Sequence, residues 1–230
     1  ETGTKNTAVG ANALDANTTA DSNTAAGYNA LTTNTTGTVN SAFGASALEA
    51  NSTGVRNTAV GSDSLPNNTT GEKNTSIGYE SLKDSVDGDQ NTAVGNQSLA
   101  NNTSGNNNTA VGSLSVFTAT TGSGNVGVGK SALQLCETAS DNTGVGKQAG
   151  KAITTGGNNT AVGADALLLC STGANNTAVG NDAGDVTTTG SNNTSLGYQA
   201  DPSSNSASNE ITLGNSSITA IRCQVQTISE

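Results

Sequence analysis

The sequence predicts an all-β fold, a parallel β-solenoid with one coil per 17 residues. Three observations predict it: an asparagine that recurs at a spacing that never drifts, a glycine four residues behind it in every turn, and the short run T-A-V-G that joins them. The asparagine column runs Asn6, Asn23, Asn40, Asn57, Asn74, Asn91 and onward to Asn193, every step being 17 residues. The glycine column runs Gly10, Gly27, Gly44, Gly61 and onward through Gly129 to Gly197. One further step places Glu210 and Gly214 in the two columns, which makes 13 turns, the last of them degenerate.

An unbroken period without insertions means that every repeat fills the same space as its neighbour, which describes a stack. Within each turn, T-A-V-G alternates Thr and Val against Ala and Gly, the period-two pattern of a strand. This alternation predicts that one face carries the aliphatic core residue while the other stays small enough for close approach of another backbone. Three residues past each Gly stands Ala or Ser, usually followed by Leu, as in Leu14, Leu31, Leu48 and Leu65. The polar second half of the turn, often N-T-T-G, holds Gly or Ala in one column from Ala20 through Gly37 and Gly54 to Ala207. Glycine there supplies a positive φ or the absence of a Cβ. β-Branched residues, repeated Gly and abundant Asn all oppose a helix. At ~4.8 Å per rung, thirteen coils predict a rod of about 60 Å.

Composition narrows the function. The chain has 230 residues, no His, Trp or Met, two Phe, three Tyr and 29 Gly, so large apolar side chains are too few for a wide core. A non-repetitive chain of this composition would lie near the disordered class; stacking escapes that by burying one thin continuous core. The net charge of −10 opposes nucleic-acid binding, and no stretch is long and apolar enough for membrane insertion.

Identical Asn side chains stacked in register are expected to hydrogen-bond along the axis. A second, partial ladder comprises Asn17, Asn34, Asn51, Asn68 and Asn102, and gives way to Ala119, Cys136, Ile153 and Cys170. Cys136 and Cys170 are two coils apart in one column, ~9.6 Å by rung spacing, beyond disulfide reach, and read as buried small hydrophobes. With Cys223 they form no metal-ligand spacing.

Each coil offers only two or three moderately apolar residues, so a lone rod is expected to be marginal and to gain from association with partner chains. N-T-A-V-G-x-x-A-L resembles the head repeats of trimeric autotransporter adhesins and, through the spacer N-T-T-G, the repeats of phage tail fibres and large-virus surface fibres. The resemblance covers residues 1 to about 214 and implies a left-handed parallel β-roll wound as a homotrimer. The closing segment 215–230 alternates Ile221, Cys223 and Val225 with Arg222, Gln224 and Gln226, a half-buried strand leaving the stack. It is similar to the stretch ahead of the self-cleaving intramolecular chaperone of many viral fibres. The expected division is therefore a solenoid over 1–214, a piece of a longer array, and an exit strand over 215–230.

Four features invite a site. G-x-x-x-x-G-K-S, from Gly124 to Ser131, matches a nucleotide-binding phosphate loop. The strand, helix and distant Asp required around that loop are absent from the pattern, and its glycines belong to the repeat, so nucleotide binding is rejected. Asp84, Asp87 and Asp89 in KDSVDGDQN are the one candidate set for Ca²⁺, but without EF-hand spacing or its final Glu they read as a solvated turn. Tyr28, Tyr79 and Tyr198 share a column where aromatics could stack on sugars, and read as incidental surface residues. The N-x-[ST] sequons are by-products of the repeat. Without His or a recurring carboxylate pair, no catalytic residue, cofactor or enzymatic activity is expected.

The sequence thus points to a structural fibre: the shaft of a viral tail or surface fibre, on the virion surface or extracellular, joined to an upstream particle protein and presenting a surface to a host glycan or receptor. The alternatives are a bacterial trimeric adhesin head on the outer surface and, from another class, an ice-binding solenoid. Ice binding is suggested by the Thr column from Thr7 to Thr109, which forms one Thr rank where T-x-T would give two.

Overall fold

A computed structural model describes residues 3–221. Thirteen three-residue strands, from β1 (Thr7–Val9) through β8 (Val126–Val128) to β12 (Thr194–Leu196) and β13 (Ile211–Leu213), form one parallel sheet in sequence order. Register is exact to the repeat: Thr7 pairs with Thr24, Thr58 with Thr75, and Thr194 with Ile211. The chain is an all-β parallel solenoid. Hydrogen bonding between coils extends beyond the strands, as where the Leu31 N–H donates to the Ala47 carbonyl at 3.0 Å and the Arg56 N–H to Thr38 at 3.1 Å. Most of the backbone is thereby satisfied by the coils above and below, with turn bonds such as Asn51 N–H to the Leu48 carbonyl inside each coil, which is what allows so polar a sequence to order.

The cross-section is thin. Inward positions are the ladder Asn, the strand Ala, the Ala or Ser and Leu behind the Gly, the second-ladder position and the turn Gly. Ala25, Ala59 and Ala93 are fully buried between the strand and the Leu wall formed by Leu31, Leu65 and Leu99. The orientation of the strand differs from the sequence expectation. Its small residue faces the core, and Thr and Val both face outward, because a 17-residue coil closes too tightly to hold Val and Leu across from each other.

Closing that coil requires up to four residues of positive φ per turn, and most are not glycine. The Leu column itself has φ of 55° at Leu14, 53° at Leu48 and 49° at Leu133, each strained by roughly 1 kcal/mol and held by full burial of the side chain. Where Gly150 relieves that strain the Leu is lost, and buried Ile153 occupies the space: a Cβ on Gly150 would lie 3.0 Å from its Cδ1. The invariant glycines answer a different constraint. At Gly61, with φ of +130°, a Cβ would stand 2.6 Å from the Gly78 carbonyl oxygen of the next coil.

Both asparagine ladders close the stack, by different bonds. In the invariant column the Asn40 N–H donates to Asn23 Oδ1 at 2.9 Å, while Asn40 Nδ2 donates to the Gly54 carbonyl at 2.8 Å. Each amide thus ties the start of its coil to that coil's own last turn and to the next coil. The same pattern runs from Asn6, whose Oδ1 accepts from Asn23, to Asn193, whose Oδ1 accepts from the Glu210 N–H at 3.0 Å. The second column chains side chain to side chain more closely: Asn51 Nδ2 donates to Asn34 Oδ1, and Asn68 Nδ2 to Asn51 Oδ1, both at 2.8 Å, against 3.2 Å from Asn125 Nδ2 to Asn108 Oδ1 in the invariant column.

Candidate functional site

The outward face of the sheet is the feature the sequence reading missed. Thr is half-buried along it, and beside the Thr rank stands an unbroken aliphatic or aromatic rank that includes Phe43, Val60, Ile77, Val111, Val179 and Leu196, all exposed. No Asp, Glu, Lys or Arg occupies the Thr, Ala, Val or Gly column of any coil. Charge is confined to the corners, as at Lys83, which pairs with Glu80 at 2.9 Å, while Gln97 Nε2 in the next coil donates to the same carboxylate at 2.7 Å. The Lys83 ammonium holds the Glu80 carboxyl below its usual range, and Gln97 adds to that effect.

The phosphate-loop string is spent on the stack. Val126–Val128 within it is β8, and the backbone N–H groups a phosphate would need are already donating: Gly124 to Asn106 at 3.0 Å, Val126 to Asn142 at 2.8 Å, Gly129 to Val111 at 2.7 Å and Ser131 to Ser113 at 3.0 Å. Lys130 is exposed. Even the unusual Gly127 has a packing cause, since a Cβ there would lie 2.6 Å from Cγ2 of Val116, the β-branched residue that replaces Leu in the preceding coil.

Asp84, Asp87 and Asp89 lie on one turn but are not gathered. Asp89 Oδ1 accepts from the Glu72 N–H at 2.7 Å, Asp84 is half-buried, and Asp87 is exposed. Among the described residues no group of three or more His, Cys, Asp or Glu is placed to hold a metal ion. Tyr28, Tyr79 and Tyr198 are exposed in one column but widely separated along it. Cys136 and Cys170 are buried free thiols; burial pushes them up to about 12 and about 11. Cys223 and most of the expected exit strand lie outside the described residues.

One acidic pair has no counterpart in the repeat pattern. Asp201 takes the Leu position of its coil, beside Asp185 of the coil before. Burial, with Asp201 and Asp182 nearby, raises the Asp185 carboxyl, and burial raises Asp201. Among the described residues no helix is long and apolar enough to cross a membrane. No family model, curated protein or solved structure matches this chain.

Proposed function

We propose that this chain is a non-enzymatic structural segment of an extracellular fibre, the shaft of a viral tail or surface fibre, that works as a homotrimer and holds an attachment surface away from the particle. The observation that carries the reading is the uninterrupted amide ladder from Asn6 to Glu210, in which each coil's backbone N–H donates to the Asn Oδ1 of the coil before it. Such a stack transmits length and direction, and its chemistry is spent on itself. The left-handed winding and the particle context rest on the resemblance of N-T-A-V-G-x-x-A-L to fibre and adhesin repeats. An adhesin head differs by its surroundings, a coiled-coil stalk and membrane anchor downstream, where a fibre continues into a chaperone domain; the flanking reading frame separates the two.

Light scattering and negative-stain microscopy test the proposal. The expected result is particles of three times the 22.4 kDa chain mass, seen as rods of about 60 Å by rung spacing. A folded monomer in light scattering overturns the trimer. Ice binding is favoured by one observation, the uncharged outward ranks of Thr and aliphatic side chains repeated at rung spacing; absence of thermal hysteresis removes it.

A further inference from the structure

We propose that the outward Thr–Val face is the seam along which copies of this chain associate, parallel and in register. This rests on the fibre reading above and names the surface that reading requires.

The exposed aliphatic rank is too long to be incidental. Single exposed apolar residues are ordinary on a soluble protein, whereas a contiguous stripe marks a covered surface. Here the exposed rungs run from 36% at Val111 to 64% at Val9, Ala26, Val94, Val128 and Val162 are half-buried, and no rung carries a charge. A Val about two-fifths exposed leaves roughly 60 Å² uncovered, so thirteen rungs offer on the order of 800 Å² per chain, what a standard interface takes from each partner.

Period identifies the occupant. A partner that covers the whole stripe must present uncharged side chains at the same ~4.8 Å rung spacing over the same length, and another copy of this chain does so rung for rung. Register has a marker too. Ala26 and Phe43 occupy consecutive rungs of the outward rank, the smallest residue beside the largest. In-register copies bring one chain's Phe43 to the height of its neighbour's, with the Ala26 layer beside it to receive the rings. A slip of one rung sets one chain's Phe43 against its neighbour's Ala26 and the neighbour's Phe43 against Val60, so that the two rings no longer share a layer.

The test uses the full chain. Val111→Lys combined with Val145→Lys places charge in the seam; Thr70→Lys combined with Thr155→Lys places the same charge on exposed corners and serves as control. Light scattering with circular dichroism is expected to show wild type and control as the same oligomer and the seam variant as a folded single chain. A seam variant that keeps the wild-type mass overturns the proposal and leaves the trimer standing; a folded wild-type monomer overturns both. Should the seam variant not fold, a second measurement decides. Val60→Cys in a Cys223→Ser background, oxidised with diamide, is expected to cross-link to itself. An oligomer in which Val60→Cys stays uncoupled, or couples only when mixed with a Val162→Cys chain, overturns the parallel, in-register seam.

Discussion

Asn68 and Ser85 occupy the same inward corner in consecutive coils, and their meeting breaks the second asparagine ladder. Up to Asn68 each amide oxygen accepts from the next coil's Nδ2; Asn68 Oδ1 and Ser85 Oγ are buried without partners, as is Asn102 Oδ1, which faces Ala119. A buried acceptor left unpaired costs about 1–3 kcal/mol.

Ser85→Asn should therefore stabilise the chain. The new amide would donate to Asn68 Oδ1 and accept from Asn102 Nδ2, the geometry already present between Asn51 and Asn68. A gain of about 1 kcal/mol, or ~2–4 °C in melting temperature, is expected for a chain of this size. Unchanged or lower melting temperature would show that the corner at Ser85 has adapted to the smaller side chain.

Glycines in different columns should respond differently to alanine. Gly61→Ala sets a Cβ against the backbone of the next coil, 2.6 Å from the Gly78 oxygen, at a φ of +130° that an L-residue resists. The expected loss is on the order of 3 kcal/mol or more. Gly124→Ala should lose only about 1 kcal/mol. Its φ of +71° is close to the 58° and 60° that Asn107 and Asp141 adopt in the same column, and its nearest obstacle is the movable Asp141 carboxylate. Denaturant titration of the two variants checks the difference; equal losses would contradict the assignment of Gly61 to backbone contact.

The period, strand position and inward asparagines were legible in the sequence because each recurs at a fixed offset. The direction of the strand's side chains was not, since T-A-V alternates whichever face is inside. A signal was present in the spread of sizes. The Ala column admits only Ala, Ser or Gly until Thr212 in the last coil, whereas the Val column admits Ala26, Phe43, Ile77 and Leu196. A packed interior resists such a range of volumes, so the variable column is the outer one. Left-handed Leu residues were illegible for a different reason: the strain at Leu48 is tolerated only because the side chain is buried, which local propensity does not record. The pairing of Asp185 with Asp201 was hidden because Asp201 enters the Leu column only once, in the twelfth coil.

Cys136 and Cys170 should be silent in the native protein. Burial raises the thiols to about 12 and about 11, leaving each a thiolate fraction at pH 8 at least a hundredfold below that of a free cysteine near pKa 8.5. In a Cys223→Ser background, alkylation at pH 8 is expected to be slower than for the denatured chain by at least that factor, with full reaction on unfolding. Rapid native labelling of either thiol would show that its corner opens.

Asp185 and Asp201 should make the last coils sensitive to pH. Burial raises both carboxyls above their usual 3.8, Asp185 further through the charges of Asp201 and Asp182. A carboxyl raised in the folded state contributes stability that is fully present below its unfolded value and is lost as pH rises through the folded one. Glu210 in the last coil opposes this: the Ser203 hydroxyl and N–H donate to its carboxylate and lower it, so its contribution is lost as pH falls. Glu210 is half-buried at the surface and its share is screened by solvent, which leaves the Asp pair to set the trend. Amide exchange in β12, corrected for intrinsic rates, is expected to show protection falling from pH 4 to pH 7. Asp201→Asn removes one member of the pair, so its protection should stay level or rise over that interval. Wild-type protection that rises alongside the variant's would mean that the two carboxylates ionise without strain.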